Sequence, residues 1–346
     1  MTSLDDRAWS LACPKVLLHE HLDGALRVAT LFDLMRQRGI ASPAPDVPAL
    51  AAWFDARAHA GSLVEYLKGF ALTVAAMATP AALERVAREA AEDAFAQGCV
   101  LAEFRIAPLL FEPHGVAPDD AVSAMLAGLA AAPMPCGLIV CAMREQSPLV
   151  TVRAADLALR WQGRGVVGFD LAGPERGYPP SLHAVALDRV RAAGLPITLH
   201  AGEADAAERV LQAARLGARR IGHGVHLVDA LRDPARAALL DEARALGLHL
   251  EVCPTSNVHT GAAASLATHP ITALWRAGVS LSFHTDNTLM SCITLAGEAE
   301  ALLRETSLQR SDLLQMQRQA ARASFLPDAA RRAALQALDA FEARRP

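Results

Sequence analysis

Short apolar runs recur along the chain, and the Ala/Leu/Arg segments between them carry apolar positions three and four residues apart. Eight such runs can be read: KVLLHEH from Lys15, CVLAEFRI from Cys99, GLIVCAM from Gly137, VVGFDLA from Val166, PITLHAGE from Pro196, RRIGHG from Arg219, LHLEVC from Leu248 and VSLSFHTD from Val279. Continuous apolar runs predict strands buried on both faces, and the intervening periodicity predicts helices that cover them. Eight strands alternating with helices predict an α/β fold, a closed (β/α)8 TIM-type barrel rather than an open doubly wound sheet. Glycines at 194, 217, 247 and 278 stand between a helical segment and the next strand, as helix C-caps do. The interval Arg27 to Gln97 is longer than one crossover needs. It is therefore assigned extra helices covering the barrel mouth, including GSLVEYLKGF from Gly61.

Two stretches invite other readings. From Ala121 to Met143 no residue is charged, a span long enough for a membrane helix. Pro133, Pro135 and Gly137 interrupt it, so the prediction is a helix over Asp119–Ala131, a turn, and a buried strand over Leu138–Ala142. Gly163, Gly165 and Gly168 satisfy G-x-G-x-x-G, but they close a helix and open a strand, the reverse of a dinucleotide fingerprint.

Composition narrows the function classes. The 346 residues hold 33 Lys+Arg against 37 Asp+Glu, a net charge of −4, which excludes electrostatic capture of nucleic acid as the main activity. With 52% hydrophobic and 20% charged residues and a mean hydropathy of +0.21, the chain buries a large core and is read as a single domain over 1–346. The N-terminal MTSLDDRAWS carries two aspartates and no apolar core, so a cytoplasmic location is expected. Six cysteines without a C-x-x-C pair read as reduced core thiols.

The polar residues gather at the C-terminal ends of the predicted strands, where such barrels build active sites. His19 and His21 are two apart on the first strand and share a face. The fifth strand ends in His200, followed by Glu203. The sixth ends in His223 and the eighth in His284-Thr-Asp286. Three imidazoles and one carboxylate at converging strand ends suit zinc with a position left for water. A zinc site of the other common kind, with P-C-x-x-C cysteine ligands, is missing.

These residues resemble the adenosine deaminases of the metal-dependent amidohydrolase superfamily. The resemblance spans nearly the whole chain, through PKVLLHEHLDGALR from Pro14, VVGFDLAGPE from Val166, LHAGE from Leu199, RIGHGVH from Arg220, EVCPTSNVHTGA from Glu251, SFHTDNTLMS from Ser282 and ASFLPDAARR from Ala323. It implies hydrolytic deamination of adenosine and 2′-deoxyadenosine, with one zinc held by His19, His21, His200 and Asp286. It further implies that Glu203 protonates purine N1 and that His223 is the base beside the activated water. Asp23 would hold the ribose and the Gly173 N–H would meet purine N3. Tyr66, Leu67 and Phe70 would belong to an apolar helix covering the substrate. The partner implied is a small purine nucleoside, with no nucleic acid and no membrane.

The roles agree with the chemistry required. Zinc lowers the pKa of water to about 7 and so provides hydroxide, while attack at C6 needs a neutral carboxyl at N1 as an electron sink, which burial of Glu203 favours. Asp170 is expected beside the site, and His226, His249, His259 and His269 are expected at the surface or as satisfied core histidines. The chain departs from the resemblance at two positions. Asn287 replaces the second of two paired aspartates and is expected to donate to purine N7 without needing a proton. His284 stands where asparagine is common. It is read as a core histidine, the other reading being that it perturbs the metal site. Adenine or aminofutalosine as substrate, and a barrel that binds without catalysis, remain as alternatives.

Overall fold

The computed structural model describes the backbone of residues 3–59 and 63–344 and the side chains of 6–59 and 69–344. Eight strands form: β1 (Lys15–Leu17), β2 (Cys99–Ile106), β3 (Cys136–Met143), β4 (Val166–Ala172), β5 (Thr198–Ala201), β6 (Arg220–His223), β7 (His249–Val252) and β8 (Ser280–Phe283). Every pairing is parallel, in the orders β1-β2-β3-β4 and β5-β6-β7-β8. The two sheets meet at thin seams, Phe169 bridging to Ile197 on one side and Glu20 to Asp286 on the other. The ring is the predicted (β/α)8 barrel.

Several strands are shorter than the apolar runs that announced them. β1 stops at Leu17, and His19 to His21 continue only through isolated bridges. Here the backbone serves side-chain delivery rather than ladder pairing: His223 and Asp286 both adopt φ of 63°, a left-handed conformation that costs a non-glycine residue free energy. The span over 121–143 resolves as helix Pro118–Ala130, a turn and β3. Gly163 and Gly165, at φ 75° and 113°, form the turn between helix Pro148–Trp161 and β4, so neither opens a helix. No single helix among the described residues is long and apolar enough to cross a membrane.

Helix α1 (Ser3–Ala12) precedes the barrel, and α2 (Val28–Gln37), α3 (Val47–Ala58), α4 (Leu63–Met77) and α5 (Pro80–Ala96) fill the long interval between β1 and β2. Of these, α5 is the ordinary crossover helix, started by the Thr79 hydroxyl accepting from the Ala82 N–H, with Pro80 following the cap. The added helices cover the mouth as expected. Gly69 of α4 lies so close to Met290, in the loop after β8, that a Cβ there would come within 2.5 Å of the methionine sulfur.

The lumen is ionic. Arg105 of β2 reaches both Asp170 of β4 (2.9 Å) and Glu251 of β7 (2.5 Å), which puts all three inside the ring. Arg220 of β6 pairs with Glu103 of β2 at 2.7 Å and with Glu251 at 2.6 Å. All five are buried, so each charge depends on its partners for solvation.

Candidate active site

Five side chains from the strand ends converge on one point. Donor atoms of His19, His200, His223 and Asp286 all lie within 4.8 Å of one another. His21 joins them, its Nε2 3.2 Å from His200 Nε2 and 3.5 Å from Asp286 Oδ1. His19 Nε2, 3.2 Å from the same carboxylate oxygen, is buried and has no hydrogen-bond partner among the described residues. A buried nitrogen left in that state is costly, and a cation fitted among these donors removes the cost. The expected set of His19, His21, His200 and Asp286 is therefore brought together, with His223 beside it.

Three of the ligand candidates, His19, His200 and Asp286, are each aimed by a second residue. His19 Nδ1 lies 2.9 Å from Glu251, and His200 Nδ1 lies 2.9 Å from Asp170, which leaves both Nε2 atoms facing the common point. Arg105 grips both of these carboxylates and the Leu18 carbonyl, so one guanidinium supports two imidazoles. Burial works against ionisation of Asp170 and Glu251, yet the facing cations outweigh it and hold both below the usual carboxylate range. Ser256 donates to Asp286 Oδ2 at 2.6 Å, leaving Oδ1 toward the histidines. Backbone bonds lock the closing seam: Asp286 N–H to the His19 carbonyl (3.0 Å) and His21 N–H to the Asp286 carbonyl (2.8 Å).

His284 belongs to that seam. Its Nδ1 accepts the Leu18 N–H at 3.2 Å, and its Nε2 lies 2.7 Å from Ser282 Oγ, which also meets His249. Strand period alone puts His284 on the face of Asp286, but the left-handed Asp286 backbone breaks the alternation, and His284 lies in the core. Of the other histidines, His226 lies 3.6 Å from Asp229, His269 caps helix Pro270–Arg276 by accepting from the Ile271 N–H, and His259 stacks edgewise on His59.

Glu203 projects from the loop after β5. Thr260 donates to its Oε1 at 3.0 Å, and its Oε2 lies 3.5 Å from His223 Nε2. Burial, reinforced by the Asp286 charge, pushes the Glu203 carboxyl up to about 7. Burial also lowers His223 well below the usual histidine value, with His19 and His200 adding to it, so its ring is neutral. Asp23 is buried beside the cluster, raised to about 7 by burial, and its Oδ1 has no partner among the described residues. Asn287 lies flat on Gly24, where a Cβ would fall 2.0 Å from its amide oxygen, so glycine is required there. Gly173 adopts φ 93° and is overlaid by the Glu145 carboxylate. Phe70 is half-buried on α4, whereas the Tyr66 and Leu67 side chains lie outside the described residues.

Reading the sequence missed Glu251, Arg105, Glu175, Ser256, Asn257 and Thr260. For the first two a signal existed, since charges embedded in the apolar runs CVLAEFRI and LHLEVC demand buried partners.

The family model for adenosine deaminase matches residues 14–341. The chain belongs to the adenosine deaminase family. A Mycobacterium bovis adenosine deaminase is 42% identical over 333 residues, covering 91% of this chain and 90% of that protein, as is its Mycobacterium tuberculosis counterpart. The fold matches an adenine deaminase from Arthrobacter aurescens with a TM-score of 0.86 at 24% identity, covering 96% of this chain and all of that one. An amidohydrolase from Burkholderia ambifaria, solved with bound zinc, superposes with a TM-score of 0.84 at 26% identity, covering 97% and 92%. This chain is accordingly an enzyme, a hydrolase of the adenosine deaminase family.

Proposed function

We propose that the chain hydrolyses the 6-amino group of adenosine and 2′-deoxyadenosine, releasing ammonia and the corresponding inosines. The observation that carries the reading is the meeting, in one buried place, of a cation-ready donor cluster with a carboxyl that burial keeps protonated near neutral pH. Relatives named adenosine deaminase, 42% identical over nearly the full length, support the nucleoside as substrate.

The donor set fits zinc, with His19, His21, His200 and Asp286 as ligands, as the buried, unpartnered His19 Nε2 also argues. The zinc-bound amidohydrolase supports the same metal. Zinc held there supplies the Lewis acidity that makes hydroxide available from water at neutral pH.

The protein groups do the rest. His223, neutral through burial, takes the proton from water at Nε2. That requires Nδ1 to keep its hydrogen. Asn257 lies 3.0 Å from Nδ1, and turning its amide oxygen to the ring both holds that hydrogen and gives a partner to an oxygen that otherwise has none among the described residues. As the oxygen adds to C6, electron density moves to N1, where Glu203 delivers its proton. His223 returns its proton to the amine, the C6–N bond breaks as the C6 hydroxyl gives its proton back to Glu203, and ammonia leaves the 6-oxo product with both groups restored. Asp286, steadied by Ser256, orients the attacking oxygen. Asp23 takes the ribose hydroxyls, the Gly173 N–H takes N3, Asn287 takes N7, and Phe70 of α4 excludes water from above.

A spectrophotometric assay with adenosine, 2′-deoxyadenosine, adenine and an aminofutalosine tests this. The two nucleosides are the expected substrates. Turnover of adenine or the futalosine alone reassigns the substrate, and turnover of none makes the barrel a binding protein.

A further inference from the structure

At the seam between β4 and β5 the backbone pairing of the barrel thins to a single bridge, from Phe169 to Ile197. Side chains fasten it at the end nearest the site. Arg144, buried, donates to the Leu171 carbonyl at 2.8 Å and to the His200 carbonyl at 2.5 Å. Above it Glu175, from the loop after β4, reaches into the loop after β5. Its Oε1 accepts the Gly202 N–H at 2.6 Å, and its Oε2 accepts the N–H groups of Glu203 (3.0 Å), Ala204 (2.9 Å) and Asp205 (3.1 Å). The next residue, Arg176, donates to the Ala204 carbonyl at 2.6 Å. Four consecutive amides converge on one carboxylate because Gly202, at φ 67°, turns the chain into a concave row of N–H groups.

Only a group with two acceptor oxygens and no donor fits this row. The loop that Glu175 belongs to also carries Gly173, and the loop it grips carries Glu203. On the reading proposed above, on which this inference rests, Gly173 meets purine N3 and Glu203 protonates N1, two atoms separated by a single carbon of the same ring. We infer that Glu175 is the positioning residue that sets the spacing of these two loops, and so holds the Glu203 carboxyl against N1. It touches neither the substrate nor the donor cluster.

Glu175→Gln tests this in the full-length, zinc-loaded chain. The substitution keeps the shape but puts an amide N–H₂ against backbone donors, which pushes the loop outward. The expected result is a loss in kcat on adenosine of about 10- to 100-fold, the scale of a displacement near 1 Å at a reacting group. Zinc content stays at the wild-type level. The inhibition constant of 1-deazaadenosine, which offers no N1 to Glu203, should stay within about threefold of wild type. In a Glu203→Gln background the same change should cost little more, because residues acting through one group are not additive. If Glu175→Gln does not fold, Glu175→Asp, which retracts the carboxylate by one methylene, carries the same comparison. Near wild-type kcat, or an equal loss with and without Glu203, overturns the positioning role. A wild-type chain that leaves adenosine unchanged overturns instead the function on which the role rests.

Discussion

Glu251→Gln probes the ionic lumen directly. Glu251 faces four buried groups: on Oε2 it meets His19 Nδ1 at 2.9 Å and Arg105 at 2.5 Å, and on Oε1 it accepts from Thr198 Oγ1 at 2.9 Å and pairs its charge with Arg220, whose Nε lies 2.6 Å away. Glutamine offers one acceptor oxygen, so its N–H₂ must face either the His19–Arg105 pair or the Thr198–Arg220 pair. Breaking a buried ion pair by removing one partner typically costs about 3–5 kcal/mol. Here Arg105 keeps Asp170 and Arg220 keeps Glu103, so neither cation is stranded. The low end follows, a loss of about 3 kcal/mol. Because Glu251 also orients His19, zinc affinity should fall by about 10- to 100-fold. Urea unfolding of the metal-free protein measures the first effect, and competition with a chromophoric chelator measures the second. A variant that unfolds within about 1 kcal/mol of wild type and binds zinc as tightly would refute the account of the lumen as a support for the metal centre.

Three further outcomes are expected. Glu203→Gln and His223→Ala should each lower kcat on adenosine by at least about 100-fold. Metal analysis of the second variant checks that His223 acts as base rather than ligand, since its zinc should be retained. Adenosine should exceed 7-deazaadenosine in kcat/KM by an amount equivalent to about 1–3 kcal/mol, and the preference should disappear in Asn287→Ala, where no donor is left unpaired; equal discrimination in both proteins moves the N7 contact to another residue. Glu298 is fully buried and burial raises its carboxyl from 4.5 to about 7. The folded state therefore holds the proton longer than the unfolded chain, and stability declines as pH rises from about 4.5 to 7. The full penalty above pH 7 is about 3 kcal/mol. Glu298→Gln should be more stable than wild type at pH 8 by that order and nearly equal at pH 5, as urea titrations at the two pH values will show.

Local pattern carried the reading a long way. Strands buried on both faces have to be apolar, so each ladder stood out as a run, and a histidine or carboxylate at the end of such a run has few places to go but the barrel mouth. His19, His21, His200, His223 and Asp286 are legible in the sequence for that reason. The supporting residues were harder. Glu251 and Arg105 are conspicuous as charges inside strands, but their partners lie across the lumen, 146 positions apart in the chain, and no local pattern pairs them. Glu175 looked like part of a loop, because its role depends on backbone N–H groups, which every sequence possesses and none displays. Asp286 escaped the alternation rule because its left-handed backbone is imposed by the closing seam rather than by its own preference.

The two thin seams have a consequence for how the enzyme comes to exist. They divide the ring into half-barrels, β1 to β4 and β5 to β8. His19 and His21 belong to the first half, and His200, His223 and Asp286 to the second. Neither half alone presents more than part of the donor set, and Asp170 and Glu251, which aim His200 and His19, each sit in the half opposite the histidine they orient. Tight metal capture is thus a property of the joined barrel. On the function proposed above, a nascent chain has little to offer a metal ion until its second half has folded back onto its first, and an ion bound then would act as a clasp across both seams, resisting their reopening.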